Sequence, residues 1–304
     1  MRVLVPTHYS RAIVRIGDAL ARHAPPGVEV ARIPPCAKDS RRHWLVPGED
    51  DGDLVVLFAN GLHDHMEALA QRCVSRGQKY AVVQIALRTT RQPSTDHWRW
   101  LWRKAAVVWS YYPLGLWIQE DGGAPMDFHF YHAPLGVDPI FYDRAVKRDF
   151  TVCTSGQRRS QESVAECDEA AAMVGGSVFQ LGPSLAMKAD ATCLTDVSDV
   201  LLAHLYSRCL FVSGLRREEG FELPAAEGLM CGARPVVYDR PHYRAWYDGW
   251  AEFVPEGNAN EVTKHLAELF LAGPRRVEER EKDVAASVFD WQRIAAGFWE
   301  RALA

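Results

Sequence analysis

The sequence predicts an α/β protein of two domains, each built on a parallel sheet. Runs typical of buried strands alternate with helical patterns along the whole chain, which is the pattern of parallel α/β sheets. A chain of 304 residues is long for one domain and sufficient for two of about 150 residues. The stretch 134–139 contains two prolines and a glycine and is followed by the charged residues 143–149, which is typical of a domain junction.

The elements follow from these patterns in chain order. In the first half we expect strands near 2–6, 28–33, 53–59, 80–87, 105–112 and 128–131, with helices near 11–23, 63–77 and 95–104. In the second half we expect strands near 150–153, 177–181, 208–212, 235–238 and 252–254, with helices near 159–174, 197–206, 223–232 and 258–271. No internal repeat or low-complexity segment interrupts this alternation.

Composition and cysteine usage favour a soluble, cytoplasmic protein. The chain is 48% apolar and 24% charged, as in ordinary globular proteins, and no apolar run approaches the ~18 residues of a membrane span. The amino terminus leads directly into a strand pattern and lacks a secretory hydrophobic stretch. Seven scattered cysteines match the spacing of neither a disulfide framework nor a zinc site, so we interpret them as free thiols in a reducing cytoplasm.

The charge is distributed unevenly within a net value of −4. Residues 1–149 hold 19 Lys and Arg against 16 Asp and Glu, whereas the rest of the chain holds 16 against 23. A mildly basic first half and an acidic second half indicate different partners for the two halves, and chance is the alternative.

Residues 219–237 carry the most specific pattern in the chain. Glu219 and Glu227 are separated by seven residues, and Pro224 between them fits the start of a helix. The N–H groups and the dipole at that helix start favour an anion. A carboxylate accepts hydrogen bonds only, so two carboxylates beside an anion site suit a ligand that offers pairs of hydroxyls. A sugar and a ribose joined by a diphosphate are such a ligand.

This passage resembles the donor-binding motif of the family 4 retaining glycosyltransferases, which have the GT-B fold. The family pattern, E-G-F-G-L-P-x-x-E-A-x-x-C-G-x-P-V-V, matches at roughly a dozen positions between 219 and 237. The resemblance implies donor-binding roles for Gly220, Phe221, Glu222, Leu223 and Glu227 and a catalytic role for Glu219. The alternative is an ordinary strand, loop and helix unit with two solvated glutamates.

One residue departs from this family motif. Glu222 stands where the family usually has glycine, and it either alters which sugar is accepted or points outward.

The same resemblance implies a domain organisation. Residues 1–147 would form an acceptor-side Rossmann-like domain, 148–285 the nucleotide-sugar donor domain, and 286–304 a helix that returns to the first domain. Gly136-Val137-Asp138 matches the N-G-V-D that family members carry at the junction, except for Leu135 before it. The resemblance covers nearly all of residues 130–304 and the first half only in outline.

A nucleotide-sugar donor, linked to UDP or GDP, needs cations for its diphosphate. The family supplies an Arg and a Lys from the loop after the first strand of the donor domain. Here the lysine is absent, and Arg158 or Arg159 is the candidate, with an exposed helix start as the alternative. Arg216 and Arg217 are further candidates, and a solvated position is the alternative for both. The family mechanism implies neither an enzyme nucleophile nor a bound metal.

The first half offers two isolated candidates near the expected cleft edge. His63 follows the third strand run and is a candidate to hydrogen-bond the donor sugar and assist catalysis. Surface imidazoles and a helix cap at Asp64 are the alternatives, and a zinc site is weaker because no third ligand is suitably spaced. Arg88 follows the fourth strand run, where many relatives of this family have a histidine.

The stretch 88–104 is the candidate acceptor surface. On a helix, Trp98, Leu101, Trp102 and Ala105 share one face, which we assign to the core. The remaining candidates are cationic or aromatic: Arg88, Arg91, Arg99, Trp100, Arg103 and Lys104. An exposed Trp among cations suits stacking on a nucleic-acid base or insertion at a lipid headgroup level, and a merely solvated face is the third possibility.

The compact length and the stretch 234–247 resemble phage-type glycosyltransferases, some of which modify hydroxymethylated pyrimidines in viral DNA. This resemblance implies double-stranded DNA as the partner, a base turned out of the duplex, and the host cytoplasm as the location. A glycan or lipid-linked acceptor in envelope synthesis is the alternative. A protein of this fold that binds nucleotide sugar without transfer, or an epimerase, is a third possibility.

Overall fold

The protein is described by a computed structural model that covers residues 1–6, 11–33, 52–60, 63–86, 95–120, 127–156, 162–183, 186–217 and 220–304. It divides into two compact units. Unit 1 contains Met1–Leu135 and Trp291–Ala304, and unit 2 contains Gly136–Asp290. The domain boundaries expected from the sequence lie at 147/148 and 285/286.

The described ranges contain the following elements. The strands are β1 (Arg2–Pro6), β2 (Glu29–Ile33), β3 (Leu54–Asn60), β4 (Lys79–Ala86), β5 (Val108–Ser110), β6 (Phe130–His132), β7 (Phe150–Ser155), β8 (Ser177–Leu181), β9 (Asp190–Leu194), β10 (Cys209–Gly214), β11 (Arg234–Tyr238) and β12 (Glu252–Val254). The helices are α1 (Arg11–Arg22), α2 (His63–Ser75), α3 (Thr95–Lys104), α4 (Leu114–Glu120), α5 (Val164–Met173), α6 (Asp199–Ser207), α7 (Leu223–Met230), α8 (Pro241–Tyr247), α9 (Ala259–Ala272), α10 (Glu279–Val288) and α11 (Trp291–Leu303).

Each unit contains one parallel six-stranded sheet. The strand order is β2-β1-β3-β4-β5-β6 in unit 1 and β12-β11-β10-β7-β8-β9 in unit 2. Within the described residues there are ten strand pairs, and all are parallel. The α/β fold class with two parallel sheets, predicted from the alternation of strand and helix patterns, is therefore confirmed.

Helix α3 shows how a sequence pattern sets the packing of unit 1. Trp98, Leu101 and Trp102 are fully buried, as the helical spacing predicts. The indole N–H of Trp102 donates to the side-chain oxygen of Gln84 at 3.0 Å, which satisfies both buried polar groups. The Tyr80 hydroxyl donates to the Leu101 carbonyl at 2.8 Å, and this bond ties β4 to α3.

Helix α11 completes unit 1 although it lies at the far end of the chain. The Trp299 indole N–H donates to the Leu20 carbonyl at 3.2 Å, and the Tyr131 hydroxyl donates to the Ile294 carbonyl at 3.0 Å. A Cβ at Gly297 would lie 2.5 Å from the Tyr131 hydroxyl, so glycine permits this close approach. The expected return of the carboxyl-terminal helix to the first domain is confirmed.

The segment that follows residue 135 packs within unit 2. The Val137 N–H donates to the Phe289 carbonyl at 2.8 Å, and Phe141 lies in the buried core of the unit. Arg148 donates to the Cys209 carbonyl at 2.7 Å and pairs with Asp143 at 3.2 Å. These contacts fix the segment within unit 2, and the Arg148 bond ties its end to the start of β10.

Four elements lie outside the predicted set: α4, β9, α8 and α10. Strand β9 is the edge strand of its sheet and has no fully buried residue. Its sequence, Asp-Ala-Thr-Cys-Leu, contains no apolar run that would predict a strand. Helix α10 contains five charged residues in ten and buries only Lys282 and Ala285. These elements are held by tertiary contacts and carry weak local signals.

Candidate functional site

The candidate site lies at the carboxyl ends of the central strands of unit 2. Strand β7 is followed on one side by β8 and β9, and the chain then returns to place β10 on its other side. The border between β7 and β10 is therefore the topological switch point of the sheet, where open α/β sheets bind their ligands. The residues that meet there include Ser155 at the end of β7 and Gly214 at the end of β10.

Arg216 bridges this switch point. Its Nη2 group donates to the Ser155 carbonyl and hydroxyl at 3.4 and 3.5 Å. Its Nη1 and Nε groups lie 3.0 Å and 3.2 Å from carboxylate oxygens of Glu162 and Glu222. The Tyr243 hydroxyl donates to the Arg216 carbonyl at 2.9 Å, so the backbone of this residue is held as well. The guanidinium is a fixed positive charge at the β7 and β10 ends.

Glu222 is buried and faces this guanidinium. The residue is 2% exposed, which excludes the outward orientation considered from the sequence. Its backbone carbonyl accepts a hydrogen bond from the Tyr247 hydroxyl at 2.7 Å. The carboxylate that stands at the family's glycine position thus contacts Arg216, because a buried carboxylate requires a charged or hydrogen-bonding partner.

Helix α7 approaches β10 closely enough to require glycine on both elements. A Cβ at Gly214 would lie 2.9 Å from the Glu222 Cβ, and a Cβ at Gly228 would lie 2.6 Å from a Val212 methyl group. Pro224 is the second residue of the helix, where its missing N–H costs no intrahelical bond. The close packing places the start of α7 directly over the end of β10.

Gly228→Ala is expected to destabilise unit 2 by about 1–3 kcal/mol, because the new methyl group must displace Val212 or move the helix. Urea unfolding measures the change. Gly115→Ala in α4 is the matched control, since no atom lies within 4 Å of a Cβ there, and we expect it to be neutral or stabilising by up to about 0.5 kcal/mol. Equal effects of the two substitutions would contradict the packing described here.

Glu227 is the second carboxylate of the motif and lies in the second turn of α7. The residue is 2% exposed. Burial, and after it the charges of Glu222 and Glu227, raises the pKa of Tyr247 well above its ordinary value. The Tyr247 hydroxyl therefore stays protonated and remains a donor to the Glu222 carbonyl. Two buried carboxylates and one tyrosine are thus concentrated at the start of α7.

Aromatic packing fixes the loop that leads into α7. The Phe221 ring stacks on Tyr247 at a centroid distance of 5.6 Å and meets the edge of Phe289 at 5.6 Å. Gly220 is buried and Leu223 is half-buried. The loop residues of the motif therefore pack against α8 and the end of α10, and their backbone positions are determined by that packing.

The neighbouring loops are held to one another. The side-chain N–H of Gln180 donates to the Gly156 carbonyl at 2.7 Å, and its oxygen accepts from the Thr154 hydroxyl. Gly156 has a φ of 111°, in the region that favours glycine. A Cβ at Gly156 would lie 2.6 Å from the Glu162 carboxylate, so this glycine leaves room for an anionic group beside the backbone.

Several residues predicted from the sequence lie outside the described part of the chain: Glu219, Arg158, Arg159, Arg88 and Arg91. His63 is the first residue of α2, but its side chain is not described. The roles assigned to these residues stay predictions. Of the predicted donor-binding residues, the structure brings together Phe221, Glu222 and Glu227.

The candidate acceptor residues on α3 differ in exposure. Trp100 is half-buried and packs against the core cluster of unit 1, so it is not the open ring expected from the sequence. Arg99 is half-buried, whereas Arg103 and Lys104 are exposed in the last turn of the helix. Cations in the last turn of a helix also interact favourably with the helix dipole. This interaction gives Arg103 and Lys104 a structural role that needs no nucleic acid or lipid.

Sequence reasoning missed Glu162 and the pairing of Glu222. Glu162 and Arg216 are 54 positions apart, and no local pattern indicates that they meet. The position of Arg216, three residues before the motif, made it a candidate in the sequence. Its contacts with Glu162 and Glu222 are evident only in the structure.

A cavity of about 840 Å³ lies at the opposite edge of the unit 2 sheet, where β10 and β11 begin. Its buried or half-buried cations pair with acidic groups: Arg148 with Asp143, Arg234 with Glu281, and Lys282 with Asp143 and Glu279. We therefore assign it no ligand. Within the described ranges, no cluster of three or more potential metal ligands is found, and no helix has the length and apolar character needed to cross a bilayer.

Solved structures share the architecture of this chain. Sucrose-phosphate synthase from Thermosynechococcus elongatus has a TM-score of 0.75 and 12% identity, with 99% of this chain and 98% of that chain covered. Anabaena HepE in complex with UDP-glucose has a TM-score of 0.72 and 14% identity, with coverage of 99% and 98%. A glycosyltransferase from Rickettsia africae ESF-5 has a TM-score of 0.67 and 9% identity, with coverage of 98% and 96%.

The chain has the GT-B fold. This confirms the fold that the motif resemblance implies. No family model and no curated protein matches the sequence. At these low identities the likeness to solved structures shows the fold, and membership of family 4 stays a prediction.

Proposed function

We propose that the protein is a glycosyltransferase that takes its sugar from a nucleotide-diphosphate sugar. The observation that carries the proposal is the concentration of Arg216, Glu222 and Glu227 at the switch point of a GT-B donor domain. The likeness to Anabaena HepE, solved with UDP-glucose, supports a donor of this class. The proposed donor is linked to UDP or GDP.

In this proposal the motif carboxylates bind hydroxyl pairs. Glu227 would accept hydrogen bonds from the ribose diol, and Glu219 from the sugar. Cations at the β7 and β10 ends, drawn from Arg158, Arg159 and Arg216, would stabilise the charge on the leaving diphosphate. His63 is a further candidate to hydrogen-bond the donor sugar.

We propose a retaining, metal-independent transfer by a family 4 enzyme. The bond between the sugar C1 and the diphosphate oxygen breaks, and the acceptor oxygen bonds to C1 on the same face. The acceptor proton passes to the departing phosphate oxygen. The absence of a paired-carboxylate or Ser/His/Asp pattern from the sequence supports a mechanism without an enzyme nucleophile.

The acceptor proposed first is a hydroxymethylated pyrimidine in phage DNA. The excess of basic residues in 1–149 and the exposed Arg103 and Lys104 support an anionic partner. The half-buried Trp100 offers less ring surface for stacking than the sequence suggested. Glycans and lipid-linked acceptors are therefore the second class to test, and a binder or an epimerase is the third.

The deciding experiment is transfer from a panel of radiolabelled UDP- and GDP-sugars to hydroxymethylated duplex DNA, with unmodified DNA as the control. Label on the modified DNA alone would support both the activity and the acceptor. A new glycoside on a glycan or lipid would retain the activity and reject the DNA acceptor. Conversion of the donor without any acceptor would indicate an epimerase or a hydrolase. Failure to bind any nucleotide sugar would reject the proposed function.

A further inference from the structure

The Glu162 carboxylate occupies a position suited to a phosphate. It lies against the backbone of Gly156, where an added Cβ would be 2.6 Å from its carboxyl carbon. On its other side, one carboxylate oxygen lies 3.0 Å from the Arg216 Nη1 atom. An anionic group is thus held between a glycine at the end of β7 and a fixed guanidinium.

This position coincides with the switch point of the unit 2 sheet. The loop after the first strand of such a sheet is where the phosphates of nucleotide ligands approach the backbone, and glycine allows that approach. Carboxylate and phosphate present similar pairs of oxygens to a guanidinium, so one can replace the other on Arg216.

The two carboxylates on Arg216 differ in how firmly they are held. The Glu222 side chain is 3% exposed and belongs to the residue directly before α7, whereas the Glu162 side chain is 17% exposed and lies outside any helix or strand. Both carboxylates repel a third anion that approaches the guanidinium. An incoming diphosphate therefore displaces Glu162 more easily than Glu222.

We propose that the Glu162 carboxylate is an internal competitor of the donor diphosphate. In the unliganded chain it occupies the anion position on Arg216, and the diphosphate of the nucleotide sugar displaces it. Arg216 is then a diphosphate-binding residue, and Glu222 is the positioning residue that holds its guanidinium. This inference rests on the proposed function.

The experiment compares the affinities of variants for UDP and GDP by isothermal titration calorimetry, with uridine and guanosine as probes that lack phosphate. Glu162→Gln removes the competing charge and keeps the side-chain shape, so we expect affinity for the diphosphate to rise about fivefold. Affinity for the nucleosides is expected to stay unchanged. Arg216→Gln is expected to weaken diphosphate binding at least about tenfold.

Matched controls come from an ion pair at the opposite end of β7. Asp149 directly precedes β7 and Arg208 directly precedes β10. The two side chains form hydrogen bonds at 2.9 and 2.5 Å. Asp149→Asn and Arg208→Gln make the same charge changes far from the switch point, and both are expected to leave diphosphate affinity unchanged. If Arg216→Gln fails to fold because Glu222 loses its partner, Arg216→Lys retains the charge and is still expected to weaken diphosphate binding.

The outcomes separate this inference from the proposed function. Wild-type binding of UDP or GDP with no gain in Glu162→Gln would overturn the inference and leave the function standing. An equal gain for the nucleosides would also overturn it, since the competition would not involve the phosphates. Absence of nucleotide binding in the wild type and all variants would reject both. A gain in Glu162→Gln and a loss in Arg216→Gln, each specific to the diphosphate, would support the inference.

Discussion

Glu227→Gln is expected to weaken nucleoside diphosphate binding by about ten- to a hundredfold. The Glu227 residue is 2% exposed, so a hydrogen bond from a ribose hydroxyl to its carboxylate would form away from bulk water. Hydrogen bonds to charged groups contribute about 1.5–3 kcal/mol, and about 1.4 kcal/mol corresponds to a factor of ten in affinity. Glutamine keeps the shape of the side chain, so the change reports the lost charge and acceptor. Calorimetric titration of the nucleotide measures it.

Glu219→Gln is expected to have the complementary effect. The proposed function assigns this carboxylate to the sugar, so we expect kcat for transfer to fall about a hundredfold, as for the loss of one group that stabilises a transition state. Nucleotide affinity is expected to change by less than about twofold, because the proposed diphosphate and ribose contacts do not involve Glu219. Transfer kinetics and nucleotide titration on the same preparation separate the two effects.

Glu268→Gln is the matched control for both glutamate variants. Glu268 is exposed on α9 and lies outside the motif of residues 219–237. Its neutralisation is therefore expected to change neither binding nor transfer. If Glu219→Gln and Glu227→Gln behave like this control, neither glutamate takes part in binding or transfer, and the segment is an ordinary α/β unit. That outcome would remove the motif as support for the donor site.

The sequence predicted the fold well because its signals are local. The buried face of α3 follows from helical spacing, and Trp98, Leu101 and Trp102 lie in the core as expected. Most strands of the two sheets are short apolar runs between turn residues. The edge strand β9 has no such run, and its place depends on pairing with β8 through tertiary structure.

The candidate site was predictable only in part, for the same physical reason. The seven-residue spacing of the two glutamates is a local feature, and Glu227 lies inside α7 as the spacing predicts. The orientation of Glu222 depends on Arg216, and the position of Glu162 depends on a contact across 54 residues. Ion pairs between residues far apart in the chain produce no periodic pattern in the sequence. The partners of these charged side chains are therefore evident only in the structure.

Arg234→Met is expected to destabilise unit 2 by about 3–5 kcal/mol, the effect of removing one partner from a buried ion pair. Arg234 is 1% exposed and begins β11. Its guanidinium donates to the carbonyls of Trp250, Arg275 and Arg276 at 2.7, 3.1 and 3.0 Å, and it lies 3.4 Å from a Glu281 oxygen. Methionine fills much of the volume but leaves these acceptors without their donor.

The test combines urea unfolding with hydrogen exchange, which reports on each unit separately. Arg234→Met is expected to increase exchange in β10 and β11 and to leave β3 and β4 of unit 1 unchanged. Arg234→Lys keeps the charge but loses the several N–H donors of the planar guanidinium. We therefore expect a loss of stability between those of the wild type and Arg234→Met. Arg276→Met is the control, because Arg276 is exposed on the same segment and surface substitutions change stability by about 0.5 kcal/mol or less.

A loss in Arg234→Met no larger than in Arg276→Met would show that the buried guanidinium does not hold the segment between α9 and α10. That segment leads into α10, whose end carries Phe289, and Phe289 contacts both Phe221 and Tyr247. Arg234 would then have no part in supporting the loop of the donor motif. With the expected loss, the same chain of contacts predicts that Arg234→Lys lowers nucleotide affinity although no part of Arg234 reaches the switch point.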